Sequence, residues 1–148
     1  MRKNTIFYKL LLLSNFFSKI CFASDLPPSE LIKLINEENR PALNQAFDHG
    51  VDIETRIHGG LTLLHEAARQ NKLDVLNFLL EKGASVSAEN DENDTPVDLA
   101  AFKGHLSVIS SLLSFGTVIT ERTWNNARIS GAPNFENRLR QLLQSNQN

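Results

Sequence analysis

A repeat of 33 residues constrains this 148-residue chain more than any other feature of its sequence. When the sequence is shifted by 33 positions, Thr62 falls on Thr95 and Gly83 falls on Gly116. Apolar residues match in the same way: Ala67-Ala68 with Ala100-Ala101, Leu73 with Leu106, Val75 with Val108, and Leu79-Leu80 with Leu112-Leu113. A fixed period of this length indicates stacked supersecondary units and not a single closed core.

Each unit is predicted to contain two short helices. In the first copy Leu64, Ala67 and Ala68 lie on one face of a helix, and residues 73–80 place a wide apolar stripe on a second helix. Asn71, between the helices, can adopt the left-handed conformation that ends a helix. Residues 84–88 then leave as extended chain toward a polar turn. The predicted unit is helix, tight turn, helix and hairpin-like loop.

This pattern resembles the ankyrin repeat. The residues that carry the resemblance are Gly60–Ala68 and Gly83–Ala88 in one copy, and Asp94–Ala101, Gly104–Leu106 and Leu112-Leu113 in the next. The resemblance implies an all-α solenoid of stacked helix-turn-helix units with hairpin-like finger loops. Three positions depart from the family pattern: Leu63 stands where Pro is favoured, Asp98 where His is favoured, and Asn71 where Gly is favoured. We interpret these as tolerated drift that affects local stability more than the fold.

Two further, degenerate units are expected around these copies, which gives about four units over residues 30–144. The predicted boundaries are 30–59 for an N-terminal cap repeat, 60–92 and 93–119 for the two regular repeats, and 120–144 for a C-terminal cap repeat. In the last unit a short helix is expected over Thr123–Ser130, and Ala127–Gly131 matches Ala100–Gly104 at an offset of 27 residues. Residues 24–29 are predicted to be a linker with Ser29 as a helix N-cap, and residues 145–148 a disordered tail.

The first 23 residues have the composition of a secretory signal peptide. Arg2 and Lys3 precede a mostly apolar stretch, Ile6–Phe17, and small residues lie before Ser24. An uncleaved anchor and a disordered terminus are the alternatives; lipidation of Cys21 is disfavoured because Lys19-Ile20 lacks small residues. The protein is therefore expected to be exported, periplasmic or secreted, and the many Asn, Lys and Ile residues hint at an AT-rich bacterial genome.

Removal of residues 1–23 would take away four of the 15 Lys and Arg residues and none of the 17 Asp and Glu residues, which leaves a net charge of −6. An acidic domain with few aromatic residues is a poor candidate for binding nucleic acid through phosphates. Cys21 is the only cysteine. We therefore expect neither a disulfide nor a thiolate metal site in the remaining chain.

No arrangement of residues in this sequence predicts catalysis, a cofactor or a metal. The glycines are spaced as repeat punctuation and do not form a phosphate-binding loop, and there is no nucleophile-elbow pattern. The resemblance implies structural roles for His65, beside Thr62, and for His105, after a turn glycine. His49 precedes a helix-ending glycine, where positive charge is favourable, and His58 is expected to be solvated on a finger.

The resemblance also implies where a protein partner would bind, because ankyrin arrays use finger tips and the exposed side of each first helix, which line a concave groove. The predicted contact residues are Arg56, Ile57, His58, Glu66, Arg69, Gln70, Asn90, Asp91, Asn93, Asp98, Phe102 and Lys103. Phe102 is predicted either to pack against Trp124 or to anchor a partner. The acidic finger Glu89–Asp94 is either a solvated turn or a contact for a basic segment, with calcium a remote third possibility.

The sequence therefore predicts a non-enzymatic, exported and monomeric protein-binding module. Two alternatives of the binding class are an inhibitor or immunity-type protein and a secreted effector that acts on host proteins. The remaining alternative is an enzyme, which is disfavoured because no site in the sequence supports one.

Overall fold

The computed structural model describes residues 26–146, and over this range the chain forms eight α-helices and one short 3-10 turn. The helices are α1 Pro28–Asn36, α2 Arg40–Asp48, α3 Leu63–Arg69, α4 Leu73–Glu81, α5 Pro96–Lys103, α6 Leu106–Ser114, α7 Glu121–Ile129 and α8 Phe135–Ser145. The 3-10 turn is His58–Gly60. The helices follow one another as four pairs, which confirms the predicted all-α stack of about four units. The prediction that residues 1–23 are a signal peptide concerns residues outside the described range.

The four pairs stack in two layers. The first helices α1, α3, α5 and α7 contact one another in that order, and α4, α6 and α8 do the same in the second layer. The second layer reaches α2 through the rings of Phe47 and Phe78, whose centroids are 6.2 Å apart. Leu79 and Leu112, at matching places on α4 and α6, are both completely buried. The apolar stripe predicted from the repeat is thus the core between the layers.

Local sequence explains where the central helices begin and end. Thr62 and Thr95 are the N-cap residues of α3 and α5, and each forms a reciprocal capping box with the residue three positions later. Pro96 then occupies the first helical turn, where its missing N–H costs nothing. Asn71 and Gly104 follow the two helices with positive φ angles of 58° and 75°. Asn71 therefore adopts the left-handed conformation for which the family pattern favours glycine.

The first helix starts earlier than predicted. Ser29 was expected to be its N-cap, whereas α1 begins at Pro28 and Pro27 is the N-cap residue. The linker predicted over residues 24–29 includes both prolines, but they do not prevent the helix from starting there. A proline in the first turn lacks only an N–H that the helix would leave unpaired, and its fixed φ suits the helix.

In the last unit the first helix begins earlier than predicted and the second helix ends later. Helix α7 begins at Glu121 and not at Thr123, because Thr120 is the N-cap and its hydroxyl accepts a hydrogen bond from the Thr123 N–H at 3.4 Å. The helix has nine residues, against eight in α5. At the other end, α8 continues through Ser145, one residue into the stretch predicted to be a tail.

Candidate functional site

Two finger loops precede the first helices of the two regular units, and their tips are fixed by turn chemistry. Finger 1, residues 52–60, returns through the His58–Gly60 turn, and Arg56 pairs with Thr62 in an antiparallel bridge. Finger 2, residues 89–94, is closed by a hydrogen bond from the Asn90 N–H to the Asp94 carbonyl at 3.0 Å. The Asn90 side chain accepts from the Glu92 and Asp94 N–H groups, both at 2.9 Å. This is the local bonding that favours asparagine in turns.

The two fingers are joined to each other through backbone groups. The Asp91 N–H donates to the Gly59 carbonyl at 3.1 Å. The Arg56 guanidinium donates to two carbonyls, Gly60 at 2.7 Å and Glu89 at 2.8 Å. Arg56 is exposed, as predicted, but its donors at Nη1 hold the fingers together and are not free for a partner.

The close approach of the fingers depends on Gly60. A Cβ atom built on Gly60 would lie 2.9 Å from the Asp91 backbone nitrogen and closer still to the Asp91 carboxylate. Gly59 has the same φ of 68°, yet a Cβ built there meets nothing within 4 Å. Gly60 is therefore needed both for its conformation and for its lack of a side chain, whereas Gly59 is needed only for its conformation.

Glu66 was predicted to line the partner groove, but its side chain is completely buried. Its carboxylate accepts from Arg69 Nε at 3.0 Å, from Arg69 Nη2 at 2.7 Å and from Gln70 Nε2 at 2.6 Å. Burial alone would raise the pKa of Glu66, yet the hydrogen bonds from Arg69 and Gln70 lower it overall. Arg69 and Gln70 are half-buried around this carboxylate. The prediction of exposure failed because it ignored this local bonding.

Ile57 and Asp98 are also buried, at 6% and 2% exposure, so their predicted roles as partner contacts are corrected as well. Ile57 is part of the hydrophobic core. The Asp98 carboxylate accepts from the Thr95 N–H at 3.0 Å and from the Thr95 hydroxyl at 2.7 Å. It also accepts from the Thr123 hydroxyl of α7 at 2.5 Å. Asp98 thus caps its own helix and joins it to the next unit, which the interpretation as drift did not anticipate.

The remaining predicted contacts are accessible. His58, Asp91, Asn93, Phe102 and Lys103 are exposed, and Asn90 is half-buried. Phe102 was predicted either to pack against Trp124 or to anchor a partner. It is 42% exposed, which leaves it available as an anchor, and the Lys103 ammonium lies 5.4 Å from its ring centroid. Trp124 instead lies under the guanidinium of Arg140, 4.9 Å from its ring centroid.

The predicted structural roles of His65 and His105 are confirmed. His65 is completely buried: its Nδ1 accepts from the Thr62 N–H at 3.1 Å, and its Nε2 lies 2.9 Å from the Asp94 carbonyl. Because Nδ1 is an acceptor, Nε2 carries the proton and donates to Asp94. His105 Nε2 lies 3.2 Å from the Arg69 carbonyl of the preceding unit. Burial lowers the pKa of both histidines.

The other two histidines are exposed. His49 Nδ1 lies 2.6 Å from the Gln45 carbonyl at the end of α2, which is the predicted helix-end position. His58 is at the tip of finger 1. Among residues 26–146 no group of three or more His, Cys, Asp or Glu side chains is placed to hold a metal ion. No helix within that range is both long and apolar enough to span a bilayer.

Leu99, which is half-buried on α5, and Ile129, which is exposed on α7, are further accessible apolar residues that were not among the predicted contacts. Phe102 and Ile129 each stand two residues before the glycine with positive φ that follows their helix, Gly104 and Gly131. Ile129 is 66% exposed on α7. The match of Ala127–Gly131 with Ala100–Gly104 already aligned Ile129 with Phe102, so that match could have identified Ile129 as a candidate contact.

Comparison with known proteins identifies the repeat. Residues 30–123 match the family model for ankyrin repeats, in three copies. The chain is 46% identical over 55 residues, 37% of its length, to alpha-latrocrustotoxin-Lt1a of Latrodectus tredecimguttatus. It is 38% identical over 74 residues to human BCL-6 corepressor-like protein 1, and 36% identical over 75 residues to palmitoyltransferase Hip14 of Drosophila melanogaster, half of its length in each case. The matched segments cover only 4%, 4% and 12% of these relatives.

Proposed function

Because this chain belongs to the ankyrin-repeat family, whose repeats generally mediate protein–protein interaction, we propose that it binds a protein partner across the finger tips and first helices. The relatives are a toxin, a corepressor-like protein and a palmitoyltransferase by their names, and they share only a repeat segment with this chain. Their individual activities therefore do not transfer to it. What they support is the binding role of the repeat.

One observation carries the proposal: hydrogen bonds join the two finger tips to each other and leave several of their side chains exposed. The hydrogen bonds from Asp91 to Gly59 and from Arg56 to Glu89 hold the backbones together, while the side chains of His58, Asp91 and Asn93 remain exposed. A preorganised surface loses less conformational entropy on binding. The fingers are thus suited to recognition.

A capture experiment with two matched double variants tests this role. His58→Ala with Asp91→Ala alters the finger tips, and His49→Ala with Glu81→Ala removes one histidine and one carboxylate from exposed positions at the C-terminal ends of α2 and α4. Cross-linking in the native compartment should yield a protein with the wild type and the second variant, and not with the first. Equal recovery with both variants would contradict binding at the finger tips.

We further propose that the protein is exported and acts without catalysing a reaction, as a monomer and without nucleic acid. The mostly apolar stretch of residues 6–17 after a basic start supports export, and the typical role of ankyrin repeats supports a binding function. Mass spectrometry of the native protein should find Ser24 at its N-terminus in a periplasmic or extracellular fraction. An intact Met1 in the cytoplasmic fraction would contradict export.

A further inference from the structure

The large apolar side chains that the described chain exposes all lie in its C-terminal half. They are Phe102, Phe115, Val118 and Ile129, with exposures of 42%, 44%, 72% and 66%. Single exposed apolar residues need no explanation, whereas neighbouring ones mark interaction surfaces. The question is therefore which of these four are neighbours.

Phe102 and Ile129 occupy equivalent positions near the C-terminal ends of two packed helices. Each stands two residues before the left-handed glycine that follows its helix, and the two helices, α5 and α7, pack against each other. Packed helices lie about 8–10 Å apart, and a Cβ built on Gly104 would lie 2.8 Å from the Cβ of Ala132, so the C-terminal ends of these two helices are close to each other. Leu99, half-buried, lies one turn before Phe102 on the same side of α5. We call Leu99, Phe102 and Ile129 the apolar row.

The row is apolar only in this part of the stack. The equivalent position in the second unit, two residues before the left-handed Asn71, is Arg69, whose guanidinium is held by the buried Glu66. In the first unit it is Asn36, two residues before the left-handed Glu38. The residue at this position is therefore polar in the first two units and apolar in the last two, so an apolar side chain of a partner would be buried against α5 and α7.

The charges beside the apolar row are positive, although the chain as a whole is acidic. Lys103 Nζ lies 5.4 Å from the Phe102 ring, and no carboxylate of residues 26–146 forms an ion pair with it. Arg128, next to Ile129, donates to the Asn125 side-chain oxygen and reaches Glu121 only at 3.6 Å, and the side chains of this ion pair are both more than half exposed. Such a pair contributes little and is easily exchanged. An approaching carboxylate would meet both cations.

We propose that the apolar row binds one large apolar side chain of a partner protein segment that carries Asp or Glu on either side of it. Lys103 and Arg128 would pair with those carboxylates. This inference rests on the proposed protein-binding function and assigns the chemistry of the segment that is bound. Burial of an exposed apolar anchor provides affinity, and the flanking charges select the segment.

Other occupants fit this chemistry less well. Residues 1–24 of the same chain are rich in apolar side chains but contain no Asp or Glu. A second copy would offer Phe115 and Val118, whose neighbours are Ser114, Gly116, Thr117 and Ile119, again without a carboxylate. A basic partner segment would suit finger 2, but that finger has no exposed large apolar residue beside its carboxylates.

Phe115 provides a matched control because it has nearly the same exposure as Phe102 and lies after α6 in the other layer. Random dodecapeptides displayed on phage would be selected against the full chain. Synthetic copies of the enriched sequences would then be titrated against the wild type, Phe102→Ser, Ile129→Ser, Lys103→Glu and Phe115→Ser. Thermal melting of each variant checks that it is folded.

The expected result is a consensus with an aromatic or aliphatic residue flanked by Asp or Glu. Phe102→Ser and Ile129→Ser should each weaken binding by about tenfold or more, Lys103→Glu should weaken it and remove much of its salt dependence, and Phe115→Ser should leave it unchanged. A basic consensus, equal effects of Phe102→Ser and Phe115→Ser, or no enrichment would overturn the assignment. The cross-linking experiment with the finger-tip variants tests the broader binding function separately.

Discussion

Two junctions between stacked units perform the same task with different chemistry. Between the second and third units, the neutral His65 caps α3 and donates to the Asp94 carbonyl of the next unit. Between the third and fourth units, the Asp98 carboxylate caps α5 and accepts from the Thr123 hydroxyl of the next unit. In both, the third residue of the helix satisfies its own N-terminus and the following unit together. The requirement is one buried group that can bond in two directions, and imidazole and carboxylate both meet it.

The contacts made by the finger loops also differ between these two junctions. At the first, backbone groups bond directly, from Asp91 to Gly59, and Arg56 spans both fingers. At the second, where the finger is shortened, the contact is an ion pair from Arg122 to Asp94 at 2.9 Å, with 48% of the Arg122 side chain exposed. The fingers at the first junction are therefore joined by hydrogen bonds to backbone carbonyls, whereas the corresponding contact at the second junction is an ion pair between side chains, which solvent weakens.

The largest expected effect tests whether the core treats the two junctions alike. Leu79→Ala and Leu112→Ala remove equivalent, completely buried side chains from α4 and α6. Each should lower the free energy of unfolding by ~2–5 kcal/mol, because a cavity remains where the side chain was. Chemical denaturation of both variants measures the costs. An unchanged midpoint in either would show that the stripe does not form the core.

Glycine substitution in finger 1 should show how tightly the first junction is packed. Gly59→Ala should cost about 1–2 kcal/mol for its left-handed backbone alone. Gly60→Ala should cost about 1–3 kcal/mol more, because its new Cβ meets Asp91. Denaturation midpoints of the two variants give the difference directly. Equal costs would mean that the fingers separate without penalty.

Replacing His65 and Asp98 in turn should show whether the two junctions are energetically independent. His65→Ala and Asp98→Ala should each cost about 1–3 kcal/mol, since a helix cap is lost and a buried partner is left unpaired. The Thr123→Val variant distinguishes them. Combined with Asp98→Ala its cost should be less than additive, because the two groups share a hydrogen bond. Combined with His65→Ala the costs should add, and coupling there would contradict the separation of the junctions.

The smallest expected effect is a pH dependence that belongs to the first junction. Burial lowers the pKa of His65 below its ordinary value of 6.5, so the folded state binds that proton less readily than the unfolded state. Stability should therefore fall as pH drops below about 6.5, until the folded-state pKa is passed. His105 shifts in the same direction, and Glu66, whose pKa is lowered from 4.5, should act only below about pH 4.5.

Melting temperatures measured between pH 7 and pH 5 check this dependence. The slope should shrink in His65→Ala and, separately, in His105→Gln, because each variant removes one of the two shifted imidazoles. Leu112→Ala, which removes no titratable group, serves as the control and should keep the wild-type slope in this range. A wild-type slope that persists without both histidines would assign the acid sensitivity to other groups.

The repeat period made most of the architecture predictable from the sequence. The spacing of Thr62 and Thr95 located two helix starts, Asn71 and Gly104 located two helix ends, and Leu79 and Leu112 located the core. These features are local or periodic, so one chain contains enough information to find them. The errors in α1 and α7 arose where the period was degenerate and a cap had to be chosen by residue type alone.

The surface was less predictable, because exposure depends on what surrounds a residue in three dimensions. Glu66, Ile57 and Asp98 stand at positions that a periodic pattern places near the groove, yet each is buried by partners distant in sequence or by local bonding that the pattern does not encode. The sequence by itself determined that units stack and which residues lie between the layers. Only the tertiary structure decided which polar groups form hydrogen bonds between units and that Phe102 and Ile129 remain exposed. The reason is that hydrogen-bond partners and neighbouring helices are set only when the units pack together.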